Sequence, residues 1–168
     1  MHLRILAVSR RTVNGKKMAK EEKYTYQYPR PAVTADVAVL RMEGVPEILL
    51  VQRKDSPFKE MWALPGGFME MDETLEEAAR RELLEETSVQ AGELLRFDTY
   101  DKPGRDPRGR TITQVFVMVW KEEMGQPRAG SDAKSLAWHD LSTLPELAFD
   151  HALIVADVIS MIRDGDGT

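Results

Sequence analysis

The stretch ETLEEAARRELLEET, residues 73–87, decides the fold because it is the clearest helix in the chain. Thr74 followed three residues later by Glu77 forms a capping-box pattern, which predicts the start of a helix. On a helical wheel, at about 100° per residue, one face of the first half is small and apolar. The residues on that face are Leu75, Ala78 and Ala79. We therefore predict that this face is buried against a sheet.

Three glutamates continue that face in the second half of the helix: Glu82, Glu85 and Glu86. At about 6 Å and an effective dielectric of about 20, each pair repels by roughly 3 kcal/mol. Carboxylates beside a core are rarely tolerated without a positive partner, and Arg80 and Arg81 project away from the centre of the face. A divalent metal would supply the charge. Because the chain has no Cys and no paired His, the oxygen ligands favour Mg²⁺ or Mn²⁺ over zinc.

The spacing of these residues resembles the Nudix box, whose pattern is G-x5-E-x7-R-E-U-x-E-E-x-G-U with U a bulky aliphatic residue. Gly67, Glu73 and the run RELLEETSV at residues 81–89 match every fixed position except one. Ser88 stands where the family has glycine, at the helix end where a left-handed residue is often required. Since serine adopts that conformation only at a cost, we predict that the helix ends differently here, for instance one residue further on.

The resemblance implies a fold and a metal site. The family fold is an α/β/α sandwich with a central mixed β-sheet. Its members hydrolyse nucleoside diphosphates linked to another moiety, and they use Mg²⁺ or Mn²⁺. Glu73 and Arg81 are expected to orient the helix and loop of the box. By resemblance, the metal ligands are the main-chain carbonyl of Gly66 and the carboxylates of Glu82, Glu85 and Glu86.

Hydrolysis also needs a group that accepts a proton from the attacking water. Glu82 is the favoured general base within the box. Asp132 is the rival, because GSDAKSLAWHDL, residues 130–141, resembles the loop before the family's late strand, where an acidic residue often joins the site. A plain turn aspartate is an equally good interpretation of Asp132.

The other strands are predicted from apolar, β-branched runs. Residues 31–41 and 47–54 should form a hairpin joined by MEGVP, and residues 62–68, WALPGGF, are a short apolar piece that resembles the family's approach to its box. A further strand is predicted at residues 23–29, where Tyr24, Tyr26 and Tyr28 alternate at the strand period. The remaining strands are predicted at residues 92–101, 111–121 and 135–141. Hairpins combined with helices indicate an α/β fold in which a mixed sheet is covered by helices.

A final helix is predicted at residues 151–163, with Asp150 as its cap. Its apolar stripe consists of Leu153, Ile154, Val158, Met161 and Ile162.

The domain is expected to span residues 22–163, between a basic N-terminal extension at residues 1–21 and a tail at residues 164–168. For the extension we favour a loose terminus, or a start codon placed before Met18, over a targeting peptide or a nucleic-acid-binding arm.

The loop KPGRDPRGR, residues 102–110, is the best source of positive charge for an anionic substrate. Four cations in nine residues would suit phosphates, and the aspartate between them would suit a ribose diol; a solvated hairpin loop is the alternative. The string PGRDPRGR resembles a segment of Nudix proteins that act on, or bind, ADP-ribose. The predicted substrate-binding residues are Arg53, Phe68, Arg105, Asp106, Arg108 and Arg110.

The resemblance favours an ADP-ribose pyrophosphatase, which would cut ADP-ribose to AMP and ribose 5-phosphate. One alternative is a pyrophosphohydrolase of nucleoside triphosphates, including oxidised ones. Another is a non-enzymatic ADP-ribose sensor. Such sensors add a DNA-binding domain, for which the segments outside residues 22–163 are too short, and the intact carboxylates favour an enzyme.

Composition limits the remaining classes. The 168 residues contain no cysteine, which excludes a disulfide scaffold and fits a cytoplasmic protein. No apolar run approaches the roughly 18 residues of a membrane span. The net charge of −5 argues against a nucleic-acid partner. Paired apolar strands are compatible with a homodimer, although nothing in the sequence locates an interface.

Overall fold

A computed structural model describes residues 25–130 and 133–165. Asp132, the whole basic extension at residues 1–21 and the last three residues lie outside this part. From Ala32 onward the chain forms one compact unit, and residues 25–31 belong to a separate one. The strand predicted at residues 23–29 is wrong over its described part, because residues 25–31 contain no strand. Pro29 and Pro31 lack the amide hydrogen that pairing with a neighbouring strand needs.

The described residues form seven strands and two α-helices. The strands are β1 Ala32–Arg41, β2 Glu47–Arg53, β3 Trp62–Ala63, β4 Gly66–Phe68, β5 Leu95–Tyr100, β6 Thr111–Val119 and β7 Ala133–Asp140; the helices are α1 Leu75–Thr87 and α2 His151–Gly165. The strands form one mixed sheet in the order β3-β2-β1-β6-β5, with β4 also paired to β1 and β7 to β2. The central pair β1–β6 is parallel, and the other pairs are antiparallel. This architecture confirms the predicted α/β fold.

Strand β1 shows why helices cover both faces of the sheet. Successive side chains of a strand point to opposite faces. Val37 and Val39 join the core that contains Ala78, Ala79 and Leu83 of α1, whereas Ala38 and Leu40 join the core that contains Ile154 and Val158 of α2. The sheet is therefore the middle layer of an α/β/α sandwich. Among the described residues, no helix is long and apolar enough to cross a membrane.

Helix α2 buries a slightly different stripe from the predicted one. Ile154 and Val158 are buried as expected, but Leu153 is 54% exposed, so its assignment to the stripe was wrong. Val155 takes its place, because a buried stripe at positions i, i+3, i+4 and i+7 here starts from His151. The helix begins directly after Asp150, whose carboxylate accepts hydrogen bonds from Arg105.

Helix α1 starts as predicted and ends differently from the prediction. Thr74 is the N-cap, and the capping box with Glu77 is complete. Ser88 adopts an ordinary left-handed conformation (φ 60°, ψ 10°) as the C-cap, so the predicted shift of the helix end is wrong. The Thr87 hydroxyl donates to the Leu83 carbonyl and accepts from the Val89 amide, which braces this turn. Burial of Val89, worth about 1.5–3 kcal/mol, offsets the roughly 1–2 kcal/mol that a left-handed serine costs.

Candidate active site

Arg81 ties the box helix to the loop in front of it. Its Nε and Nη2 donate to the Glu73 carboxylate at 2.9 and 2.5 Å, and Nη2 also reaches the Phe68 carbonyl at 3.0 Å. Its Nη1 donates to Glu82 at 2.6 Å. Arg81 lies beside the acidic face, as the wheel indicated, but its long side chain bends back to Glu82. The hydrogen bonds from Arg81 also hold the pKa of Glu73 below its usual value.

Two glycines bring backbone and carboxylates into contact. A β-carbon on Gly67 would lie 2.5 Å from the carboxyl carbon of Glu82, so only glycine leaves room for that buried side chain. A β-carbon on Gly66 would lie 2.4 Å from both the Ala35 carbonyl oxygen and a carboxylate oxygen of Asp36. The Gly66 amide donates to Glu86 at 3.0 Å. The backbone of strand β4 therefore lies in direct contact with the acidic face of α1.

The three box glutamates differ in exposure. Glu82 is only 5% exposed, and Glu86 is half-buried. Glu85 is exposed, which corrects the expectation that all three extend the buried face. The buried arc of α1 includes Ala79 and Leu83. At about 100° per residue, Glu85 lies at the margin of that arc.

Two arginines, Arg53 and Arg108, lie near the box, and we call them the cationic wall. The Arg108 guanidinium lies 4.9 Å from the centre of the Phe68 ring and 5.2 Å from that of Phe149, and Arg53 lies 4.8 Å from the same Phe149 ring. Burial, and then repulsion from Arg108, lower the pKa of Arg53, whereas the negative charge of Glu86 opposes this shift. Arg53 therefore lies within electrostatic reach of both Arg108 and Glu86.

Asp106 holds the Arg108 side chain in this wall. Its carboxylate is buried and accepts from Nε and Nη2 of Arg108, the latter at 2.7 Å, and also from the Arg108 amide. Burial alone would raise the pKa of Asp106, but the hydrogen bonds from Arg108 outweigh it and the pKa lies below its usual value. Asp106 is therefore a charged acceptor that fixes Arg108.

The other two predicted arginines of the loop also bind groups of the protein, as does Arg53, whose Nε donates to the Pro57 carbonyl at 2.9 Å. Arg105 has a side chain only 4% exposed, and its Nε and Nη2 donate to Asp150 at 2.8 and 2.6 Å. Arg110 donates to the carbonyl of Asp101 at the base of the loop. Beside the loop runs an open groove of about 550 Å³, with Phe58, Tyr100, Lys102, Arg105, Phe149 and Leu153 in its lining. The hydrogen bonds of Arg105 and Arg110 hold the loop in the position in which Arg108 contacts the Phe68 ring.

Three residues near the site were missed by the sequence reasoning: Asp36, Phe149 and His151. His151 is buried, and its Nδ1 accepts from the Leu64 amide at 3.0 Å, two residues before Gly66. Burial lowers the pKa of His151, which keeps this nitrogen free to accept. Asp36 accepts from the Thr113 hydroxyl at 2.5 Å beneath Gly66. Only Asp36 left a signal, as the single acid in the apolar run AVTADVAVL.

The family model described as NUDIX domain matches residues 30–158. The chain belongs to the Nudix family. It is 45% identical over 130 residues to an ADP-ribose pyrophosphatase of Methanocaldococcus jannaschii, which covers 77% of this chain and 74% of that protein. The family membership and this identity make the chain a Nudix pyrophosphohydrolase and confirm the predicted recognition.

Solved Nudix structures share the fold. The Nudix domain of NrtR from Shewanella oneidensis, crystallised with ADP ribose, superimposes with a TM-score of 0.73 at 27% identity, over 80% of this chain and 90% of that one. A bifunctional NMN adenylyltransferase/ADP ribose pyrophosphatase from Francisella tularensis, complexed with AMP and a manganese ion, gives 0.71 at 32% identity. This match covers 81% of the chain but only 43% of the bifunctional protein.

Nudix hydrolases generally use divalent metal ions, and the donors of this site fit one chemically. Glu82, Glu85 and Glu86 present only carboxylate oxygens, which hard cations prefer, and Gly67 leaves the space beside Glu82 open to its carboxylate. Among residues 25–130 and 133–165, no three His, Cys, Asp or Glu side chains already converge as a closed metal site. The side chains are instead held by protein partners, with Glu82 on Arg81 and Glu86 on the Gly66 amide.

Proposed function

We propose that this Nudix domain hydrolyses ADP-ribose to AMP and ribose 5-phosphate with Mg²⁺ or Mn²⁺. One observation carries the proposal: Arg53 and Arg108 both lie against Phe149, and Arg53 is within electrostatic reach of Glu86. A pyrophosphate needs both positive groups that hold its oxygens and a carboxylate cluster that holds a metal. The proximity of Arg53 to Phe149 and to the charge of Glu86 supports a site that combines the two. The 45% identical ADP-ribose pyrophosphatase supports the same substrate.

The box residues would act on the metal side. Glu82, Glu85 and Glu86, with the carbonyl of Gly66, would hold the ion, which neutralises phosphate charge and makes water more acidic when bound. Arg81 and Glu73 would orient Glu82 through the hydrogen bonds described above. Glu82 remains our candidate for the base that takes the proton of the attacking water, and Asp132, outside the described residues, remains its rival.

The loop residues would act on the substrate side. The N–H groups of Arg108 and Arg53 that Asp106 and the Pro57 carbonyl do not occupy would bind phosphate oxygens. Phe68 is exposed beside Arg108 and would cover the diphosphate or a ring of the substrate. Asp106 would keep Arg108 in position, and Arg105 and Arg110 would anchor the loop. Asp106, Arg105 and Arg110 would therefore contribute to substrate binding indirectly, because they hold the loop in shape.

A metal-dependent substrate screen tests the proposal. The protein is incubated with Mg²⁺ or Mn²⁺ and ADP-ribose, other nucleotide sugars, dinucleotides or nucleoside triphosphates, and the products are separated. We expect release of AMP from ADP-ribose with the highest kcat/KM. Cleavage of a triphosphate to monophosphate and pyrophosphate, without AMP release from ADP-ribose, would show that the substrate is a nucleoside triphosphate instead. Binding of ADP-ribose without any turnover would indicate a sensor.

A single substitution tests the assignment of the carboxylates. Glu86→Gln keeps the size of the side chain and removes a charge from the metal site. We expect kcat to fall by at least about 100-fold, because the electrostatic stabilisation of phosphate charge is lost. Glu93→Gln, at an exposed position before β5, is the matched control and should keep wild-type activity. Unchanged metal-dependent hydrolysis in Glu86→Gln would overturn the site.

A further inference from the structure

The segment between β6 and β7 lies across the C-terminal end of α1. We call residues 126–130 the strap. The Arg128 amide donates to the Thr87 carbonyl at 2.7 Å, and the Gly130 amide donates to the Glu86 carbonyl at 2.8 Å. These are carbonyls of the last helical turn, which have no partner within the helix. The strap therefore supplies hydrogen-bond donors to two carbonyls of the turn that carries Glu85 and Glu86.

Gly130 makes the closest approach between strap and helix. A β-carbon at this position would lie 2.0 Å from the carbonyl oxygen of Glu85, 3.0 Å from its carbonyl carbon and 3.2 Å from the Cα of Glu86. All three atoms belong to the backbone, so no side-chain rotation could make room. Any larger residue would push the strap and the last turn of α1 apart.

We propose that Gly130 is a positioning residue for the carboxylates of Glu85 and Glu86. The same turn is held from its other side, where the Glu86 carboxylate accepts from the Gly66 amide at 3.0 Å. The strap contact and this hydrogen bond together set how far the two carboxylates stand from the Gly66 carbonyl. The metal role of these residues rests on the proposed function, whereas the backbone contact does not.

The size of the effect follows from the contact distance. To relieve the 2.0 Å contact to an ordinary one of 3.4–4 Å, strap and helix must separate by about 1.4–2 Å. Metal–oxygen distances tolerate only about 0.2 Å. Because substitution of residues that orient metal ligands typically weakens metal affinity by about 10- to 100-fold, we expect a loss in this range for Gly130→Ala.

The test compares Gly130→Ala with Gly92→Ala in the full chain. Gly92 is a matched control, since a β-carbon there would meet only the end of the flexible Met124 side chain, its terminal methyl and its sulfur. Binding of Mn²⁺ alone, without substrate, is measured by electron paramagnetic resonance of the free ion. We expect Gly130→Ala to weaken Mn²⁺ binding by at least about tenfold and Gly92→Ala to leave it unchanged. Kinetics at saturating Mn²⁺ should then show a lower kcat with KM for ADP-ribose nearly unchanged.

The outcomes separate this inference from the proposed function. Wild-type Mn²⁺ affinity in a folded Gly130→Ala variant would overturn the positioning role, even if the wild type hydrolyses ADP-ribose. Weakened Mn²⁺ binding with a different substrate would keep the positioning role and overturn only the substrate. If the variant does not fold, hydrogen exchange on the wild type decides: saturating Mg²⁺ should slow exchange in the strap, and no change would overturn the proposal.

Discussion

Loss of Arg81 should destabilise the domain by about 3 kcal/mol. Arg81→Met keeps most of the apolar stem and removes the guanidinium that bonds Glu73, Glu82 and the Phe68 carbonyl. Removal of one partner of a buried ion pair costs about 3–5 kcal/mol. The lower end applies because the Arg81 side chain is 23% exposed and solvent screens part of the charge. Tm should fall by about 6–12 °C for a domain of this size.

Urea unfolding followed by tryptophan fluorescence measures this loss. Arg81→Lys, which keeps the charge but not the forked geometry, should lose about half as much. A double-mutant cycle with Glu73→Gln should give a coupling free energy of about 1–2 kcal/mol. A loss below about 0.5 kcal/mol for Arg81→Met, within the range of ordinary surface substitutions, or no coupling to Glu73, would refute the argument that Arg81 holds the box together.

The same pair predicts a pH dependence with a definite sign. Arg81 lowers the pKa of Glu73 in the folded protein, below the value of about 4.3 for an unfolded glutamate. The stability that this pair contributes is therefore fully present above about pH 5 and is lost as the pH falls through the folded pKa. The difference in unfolding free energy between wild type and Arg81→Met should shrink below about pH 4. A constant difference over this range would contradict the linkage.

Two further predictions concern the loop in front of the helix. Gly67→Ala should lower kcat/KM by about 100-fold or more, because its β-carbon would lie 2.5 Å from the Glu82 carboxyl carbon; a normal rate would show that Glu82 needs no fixed place. His151→Leu should lose about 1–3 kcal/mol in urea unfolding, because the buried Leu64 amide loses its acceptor, whereas His151→Asn, which offers an amide oxygen, should recover part of it. Since burial lowers the folded pKa of His151, the wild type should lose stability as the pH falls below about 6.5, and a loss equally large in His151→Asn would contradict this assignment.

The sequence predicted best what depends on local periodicity. The capping box of Thr74 and Glu77, the apolar face of α1 and the β1–β2 hairpin are set by residues within a few positions of each other, and the structure confirms them. The box residues follow the same rule, because spacings of three and four determine which side chains share a helix face. The family spacing then gave these side chains a chemical interpretation.

The predictions from sequence were wrong where the local structure depends on packing between segments that are distant in the chain. Alternation of tyrosines indicated a strand before Pro31, yet a strand also requires an available partner edge. Ser88 carries the intrinsic cost of a left-handed serine, but the burial of Val89, which depends on the sheet, offsets that cost. His151 bonds an amide 87 residues away, which no spacing rule in the sequence reveals. Local sequence patterns therefore predicted the helices, most strands and the acidic face of α1, but not the long-range contacts that hold them in place.

The separation of acidic and basic residues along the chain has a consequence for specificity. The carboxylates come from one helix, whereas Arg53 ends β2 at an irregularity in its pairing, Arg108 lies between β5 and β6, and Phe149 precedes α2. A register irregularity re-aims the side chains beside it, and loops tolerate sequence change better than helices in a core. The cationic wall can therefore be altered without moving α1. For this reason, the metal chemistry should be common to the fold, while the loop at residues 102–110 adapts it to one class of pyrophosphate.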